Sequence, residues 1–161
     1  MDAITQSRIA LLHPKLRDEA TALINQANAV LTSHSHVRVV QGLRTFAEQD
    51  ALFLQRPRVT KAKGGQSLHN YGVAIDFCLI IDDKDVSWDL KKDYDGDHVP
   101  DWSEVVKVFT NAGWEWGGTW TSIIDNPHLQ KVYGHTWEDL LQKWNSGDTF
   151  IDTNGQKYVN L

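Results

Sequence analysis

At 161 residues, with 41% hydrophobic and 23% charged side chains and 4 prolines, the chain has the length and balance of a single globular domain, 1–161, with a real core. No apolar run approaches the ~18 residues of a membrane span. The net charge of −5 is local, because Asp93, Asp95, Asp97, Asp101 and Glu104 stand together with no Lys or Arg among them; the balanced remainder has neither the basic footprint of a nucleic-acid binder nor a positive block for an anionic membrane.

The N-terminal Met1–Arg8 segment lacks the basic start and apolar run of a secretory signal, so synthesis for the cytoplasm is expected. Apolar residues at helical spacing (Leu16, Ala20, Leu23, Ile24, Ala27, Val30, Leu31) predict an amphipathic helix. A strand over Val37–Gln41 follows. Gly42-Leu43-Arg44-Thr45 then turns into a second helix, to about Gln55, with Thr45 as N-cap and Glu48 completing a capping box. A basic loop, Lys61 to Gln66, leads to the turn-like Ser67–Gly72 and an apolar strand, Val73–Ile81. Beyond the acidic loop come a helix near Ser103–Ala112, a short strand closing in a glycine turn at Trp114–Gly118, an extended Asn126–Gln130, a helix near Trp137–Trp144 and a hairpin-like tail, Phe150–Val159. Strands separated irregularly by helices predict an α+β fold with a small, mainly antiparallel sheet flanked by helices.

Asp76 stands inside the most apolar stretch of the chain, where a charge needs a partner or a metal. Alternation puts Ala74 and Asp76 on one face and Val73, Ile75 and Phe77 on the core face, with Gly72 and Ala74 leaving room beside the carboxylate. The turn upstream brings His69. Those two residues make half of a metal site, or else a carboxylate paired with Arg or Lys beside a structural histidine. The best third ligand is His128, since Asp125-Asn126-Pro127-His128 sets a carboxylate three residues before an imidazole. Three ligands and an open fourth position describe catalytic zinc, with Asp125 as the base that takes a proton from attacking water and returns it to the leaving amine. Glu115 is a rival base and His135 a reserve ligand; His13, His34, His36 and His98 read as surface or core residues. Cys78, the sole cysteine, reads as an inert buried thiol.

The acidic segment has acids at positions one, three, five, nine and twelve of a loop of EF-hand type: Asp93, Asp95, Asp97, Asp101 and Glu104, with the Val99 carbonyl at seven. It departs from that pattern with His98 at six, where the turn favours glycine, and with Pro100. It reads as a calcium loop, or as a solvated acidic loop.

The pattern Ser67-x-His69-x-x-Gly72-x-Ala74-x-Asp76, followed by Asp125-x-x-His128, resembles the zinc peptidases that include D-Ala-D-Ala carboxypeptidases, dipeptidases and L-alanyl-D-glutamate peptidases. Asp125 in place of glutamate, and Trp114-Glu115-Trp116-Gly117-Gly118-x-Trp120, resemble the phage endolysin branch. The resemblance implies a hedgehog/D-Ala-D-Ala-peptidase-like fold, zinc at His69, Asp76 and His128, Arg44 at the developing oxyanion, and Gln49 and Ser67 at the substrate. It further implies a monomer that cleaves bacterial peptidoglycan stem peptides at the L-Ala–D-Glu bond, released from the host cytoplasm through a holin. The alternatives are a D-Ala-D-Ala carboxypeptidase or dipeptidase, and a non-catalytic wall-binding module with structural zinc.

Overall fold

A computed structural model of the chain describes residues 1–32 and 34–161. Two helices, α1 (Ala3–Ile9) and α2 (Pro14–Val30), precede the first strand, β1 (Ser35–Gln41). Asp2 caps α1 by accepting from the Thr5 amide at 2.7 Å, and Pro14 opens α2, where its missing N–H costs nothing. Helix α3 (Phe46–Leu54) leads through the 56–66 loop and a single 3-10 turn, Leu68–Tyr71, into β2 (Ala74–Ile81). Then come β3 (Asp85–Ser87), α4 (Asp101–Asn111), β4 (Glu115–Trp116), β5 (His128–Gln130), α5 (Trp137–Ser146) and the hairpin β6 (Thr149–Ile151) with β7 (Lys157–Val159).

The sheet runs β1-β2-β5-β4, and every pairing is antiparallel. Strand β2 is its axis. Along one edge Asp76–Ile81 pair with β1, whereas the other edge is shared: Ala74–Asp76 pair with β5, and Leu79–Ile81 pair with β3. Val73, Ile75, Phe77 and Leu79 enter the core with Leu16, Ala20 and Ile24 of α2 and with Trp102, Val105 and Phe109 of α4. Phe77 stacks on Trp102 at 4.3 Å between ring centroids. Each such side chain removed from water contributes roughly 1.5–3 kcal/mol, so the strand carrying Asp76 lies in the best-anchored part of the molecule. The α+β fold is as expected.

The details differ in instructive ways. Val30, at a helical core position, is exposed, and Leu31, the C-cap of α2, closes the buried stripe in its place. Helix α4 begins at Asp101, two residues early: the Asp101 carboxylate turns inward, accepting from the Tyr94 amide at 2.8 Å and from the Ser35 hydroxyl. Cys78 is buried, and burial pushes its thiol pKa up, as an inert thiol requires.

The capping box at Thr45 is present in full, the Glu48 amide donating to Thr45 Oγ1 at 3.1 Å and the Thr45 amide to Glu48 Oε2 at 2.7 Å. Thr45→Ala is expected to cost about 1 kcal/mol, read as a lowered midpoint in denaturant melts with an unchanged slope.

Candidate active site

Three chain segments meet at the open end of β2. The register pairs Asp76 with His128 across β2 and β5, so residues 52 apart in sequence become neighbours. On the other side the pairing of β1 with β2 slips between Val39 and Gln41. Such an irregularity bends the strand end, and Gly42, immediately beyond it, offers its carbonyl to His69 Nδ1 at 2.9 Å. The Arg44 amide donates to the His69 carbonyl at 2.9 Å, and the Asn70 side chain donates to the carbonyls of Arg44 (2.9 Å) and Thr45 (3.3 Å). Buried Asn70 therefore clamps the strand-to-helix junction onto the histidine turn. Gly72 closes that turn at φ +69°, and an added Cβ would lie 2.6 Å from the His13 amide nitrogen. Its role is this left-handed, tightly packed cap, not room beside Asp76.

His128 Nδ1 and His69 Nε2 both face Asp76 Oδ1, at 3.1 and 3.3 Å. The two rings lie nearly perpendicular, 5.1 Å apart, and the three donor atoms fall within 4.8 Å of one another. Burial opposes ionisation of Asp76, but hydrogen bonds from His128 and His69 outweigh it and hold the carboxyl well below the usual carboxylate range. Burial lowers the His128 pKa and Asp76 raises it, with a net rise. A carbonyl can only accept, so the contact to Gly42 puts the proton of His69 on Nδ1 and leaves Nε2 to face the site. Two imidazole nitrogens and one carboxylate oxygen are a fitting donor set for a divalent transition metal, with the outer hydrogen bonds such ligands require.

Asp125 and His128 border one cleft of about 850 Å³, along with Ser67, Trp120, Arg58 and Lys61. Burial, and next the Asp76 carboxylate, push the Asp125 pKa up, which suits a carboxylate that takes and returns protons. Arg44 is partly buried; burial lowers its pKa against the pull of Asp76, Glu48 and Asp125, which places its cation in the field of both site carboxylates. Gln49 packs beside Arg44. It is 1% exposed, its Oε1 accepts from Arg44 Nη1 and its Nε2 donates to the Ala62 carbonyl, both at 2.8 Å. With both ends of its amide occupied, Gln49 braces Arg44.

The tryptophan-rich segment brackets the site. Trp116 Nε1 donates to the Asn126 carbonyl at 2.7 Å, and the Asp125 amide to the Gly117 carbonyl at 3.1 Å. Glu115, weighed as a rival base, has both oxygens committed, to Trp120 Nε1 at 2.5 Å and Gln130 Nε2 at 2.9 Å. His135 lies outside the ligand cluster. His13, expected as a surface or core residue, is buried and bonds the Val159 carbonyl at 2.9 Å, tying the terminal hairpin to α2.

In the acidic loop, Asp93 accepts from the amides of Gly96 and His98 (2.6 and 2.9 Å), Asp95 from Asp97 (3.3 Å) and Asp97 from Val99 (2.7 Å). His98 takes φ 76°, making with a non-glycine residue the turn for which glycine was expected. Carboxylate oxygens of Asp93, Asp95 and Asp101 converge within 4.8 Å, as do those of Asp95, Asp97 and Glu104.

A family model described as D-alanyl-D-alanine carboxypeptidase matches residues 60–131, a span holding His69, Asp76, Asp125 and His128. The chain is 40% identical over 126 residues to the peptidoglycan L-alanyl-D-glutamate endopeptidase CwlK of Bacillus subtilis, covering 75% of this chain and 74% of that protein. It is 33% identical over 105 residues to the L-alanyl-D-glutamate peptidase of a Listeria phage, covering 60% of this chain and 35% of the relative. In fold it matches the crystal structure of the Serratia marcescens L-Ala D-Glu endopeptidase ChiX, with a TM-score of 0.59 and 24% identity over 83% of this chain and 90% of the other.

Proposed function

Because the chain belongs to the peptidase family of the D-alanyl-D-alanine carboxypeptidases and L-alanyl-D-glutamate endopeptidases, we propose that it is a zinc peptidase cutting the L-Ala–D-Glu bond of peptidoglycan stem peptides. The observation that carries this reading is the placement of both imidazoles within 3.3 Å of Asp76 Oδ1, beside a cleft that Asp125 lines. His69, Asp76 and His128 would hold the metal. Zinc there supplies a Lewis acid for the scissile carbonyl and lowers the pKa of an attacking water. Asp125 accepts the proton that the water loses and delivers it to the amine that leaves, which is D-Glu nitrogen. Arg44, held by Gln49, directs its cation at the charge that develops on the carbonyl oxygen; one such donor is typically worth ~3 to 4 kcal/mol. Ser67, in the cleft wall, is the proposed polar contact for the peptide. The place of action is the cell wall, reached from the host cytoplasm by holin-mediated release, and the protein acts as a monomer.

Mass spectrometry of digested muropeptides tests the bond. New N-terminal D-Glu is the expected product. Free D-Ala would make the protein a carboxypeptidase or dipeptidase instead, and zinc-loaded protein that binds walls without releasing either would make it a wall-binding module.

The acidic loop is proposed as a calcium site, ligated by Asp93, Asp95, Asp97, the Val99 carbonyl and Glu104, with Asp101 at the helix start. Asp95 Oδ2 and Glu104 Oε2 are buried there with no hydrogen-bond partner among the described residues, which favours a cation. Burial, then Asp97, Asp95, Asp101 and Asp93, push the Glu104 pKa from 4.5 up to about 7. A raised pKa means the fold prefers the protonated form, so Glu104 favours folding below pH 4.5, loses that contribution as pH rises toward 7, and gives none of it back above. In chelator the melting temperature is therefore expected to fall across this window, Glu104→Gln to flatten the fall, and calcium at pH 7.5 to raise the melting temperature of the wild type. No response to calcium in either melting or titration calorimetry would remove the site.

A further inference from the structure

His69 and His128 are oriented differently, although both face Asp76. Behind His69 stands a backbone carbonyl, which cannot donate. Behind His128 stands an amide: His128 Nε2 lies 3.0 Å from Gln130 Oε1. An amide can turn and present its NH2 group instead, and an imidazole facing that NH2 would have to accept at Nε2 and carry its proton on Nδ1. That proton would occupy the very nitrogen that faces Asp76 and His69.

One residue removes this ambiguity. Glu115 Oε2 sits 2.9 Å from the Gln130 side-chain nitrogen, and a carboxylate only accepts, so the Gln130 NH2 must face Glu115 and its oxygen must face His128. Trp120 completes the chain. Its indole N–H donates to Glu115 Oε1 at 2.5 Å, and its ring lies against His128 with centroids 5.1 Å apart. The register behind this is short: Glu115 pairs with Gln130 across β4 and β5, and Gln130 lies two residues from His128. We propose that Glu115 is a positioning residue that acts through Gln130 to keep the His128 proton on Nε2, so that Nδ1 stays available to a metal. This rests on His128 being a metal ligand, and it assigns Glu115 a task other than proton transfer to substrate.

The test uses purified full-length protein and zinc alone, without peptidase substrate. In zinc-loaded wild type, the His128 Nε2 proton should give a downfield, slowly exchanging NMR signal. In Glu115→Ala this signal should be lost or exchange rapidly, and zinc affinity by chelator competition should weaken by about tenfold or more. Gln130→Leu should reproduce both losses, with the double variant no weaker than either single one. The pair Glu115→Gln with Gln130→Glu, which restores an acceptor facing His128 and a donor facing that acceptor, should recover affinity that neither change retains alone; a merely structural edge strand would show no such rescue. An intact Nε2–H signal with unchanged affinity in Glu115→Ala overturns the proposal while leaving the peptidase reading standing, whereas wild type that binds no zinc overturns both.

Discussion

Asp125→Ala is expected to lower kcat for stem-peptide cleavage by about 10²- to 10⁴-fold, the usual contribution of a positioned acid–base group. No neighbouring carboxylate can take its place. Asp76 is held well below the ordinary range by two imidazoles, and the Glu115 oxygens are engaged by Trp120 and Gln130. Because Asp125 is not among the clustered ligands, zinc content should stay at the wild-type level, and KM should move far less than kcat. Asp125→Asn should fail equally, since an amide of the same shape cannot accept the proton. The melting temperature should equal or exceed that of wild type: burial and the Asp76 charge both disfavour the Asp125 carboxylate, so removing it relieves strain that the fold carries for function. Steady-state kinetics with metal analysis decide the matter, and a residual rate within tenfold of wild type would falsify the assignment.

The parts of this site written in local spacing were legible without coordinates. The Thr45 capping box, the lone carboxylate of Asp76 within an apolar strand and the short Asp125–His128 spacing each depend on a few neighbouring residues. Their convergence rests on the register of β2 and β5, which spacing alone does not reveal. Gln49 shows what a helix position alone does not reveal: its amide nitrogen is tied to the Ala62 carbonyl of the following loop, and its amide oxygen braces Arg44. Asn70 carried no signal of its own in the sequence, yet it joins two segments through three hydrogen bonds. Helix α1 and strand β3, at 7 and 3 residues, are too short for periodicity to show; a capping aspartate and one edge of β2 define them instead. Glu115 lay between two tryptophans and invited a choice between base and scaffold, and only the pairing of β4 with β5 shows which nitrogen it faces.

Gly117→Ala should be the most damaging small change outside the reacting groups, reducing activity by about 10²-fold, as expected when catalytic groups move by roughly an ångström. An added Cβ would lie 2.5 Å from the Asp125 carbonyl oxygen, 3.1 Å from Asp125 Cβ and 3.2 Å from His128 Cβ. The first of these is backbone, so no rotamer change relieves it. That carbonyl also accepts the His128 amide at 3.2 Å, hence pushing it away displaces base and ligand together. Trp116, bonded to the Asn126 carbonyl, resists the shift and concentrates it in the Asp125–His128 turn. Most of the core is built by β2, α2 and α4, so far-UV circular dichroism should be unchanged while both turnover and zinc affinity fall. Wild-type turnover with wild-type zinc affinity in this variant would mean that the turn has room to yield, and that Asp125 and His128 owe their placement to something other than the close approach at Gly117.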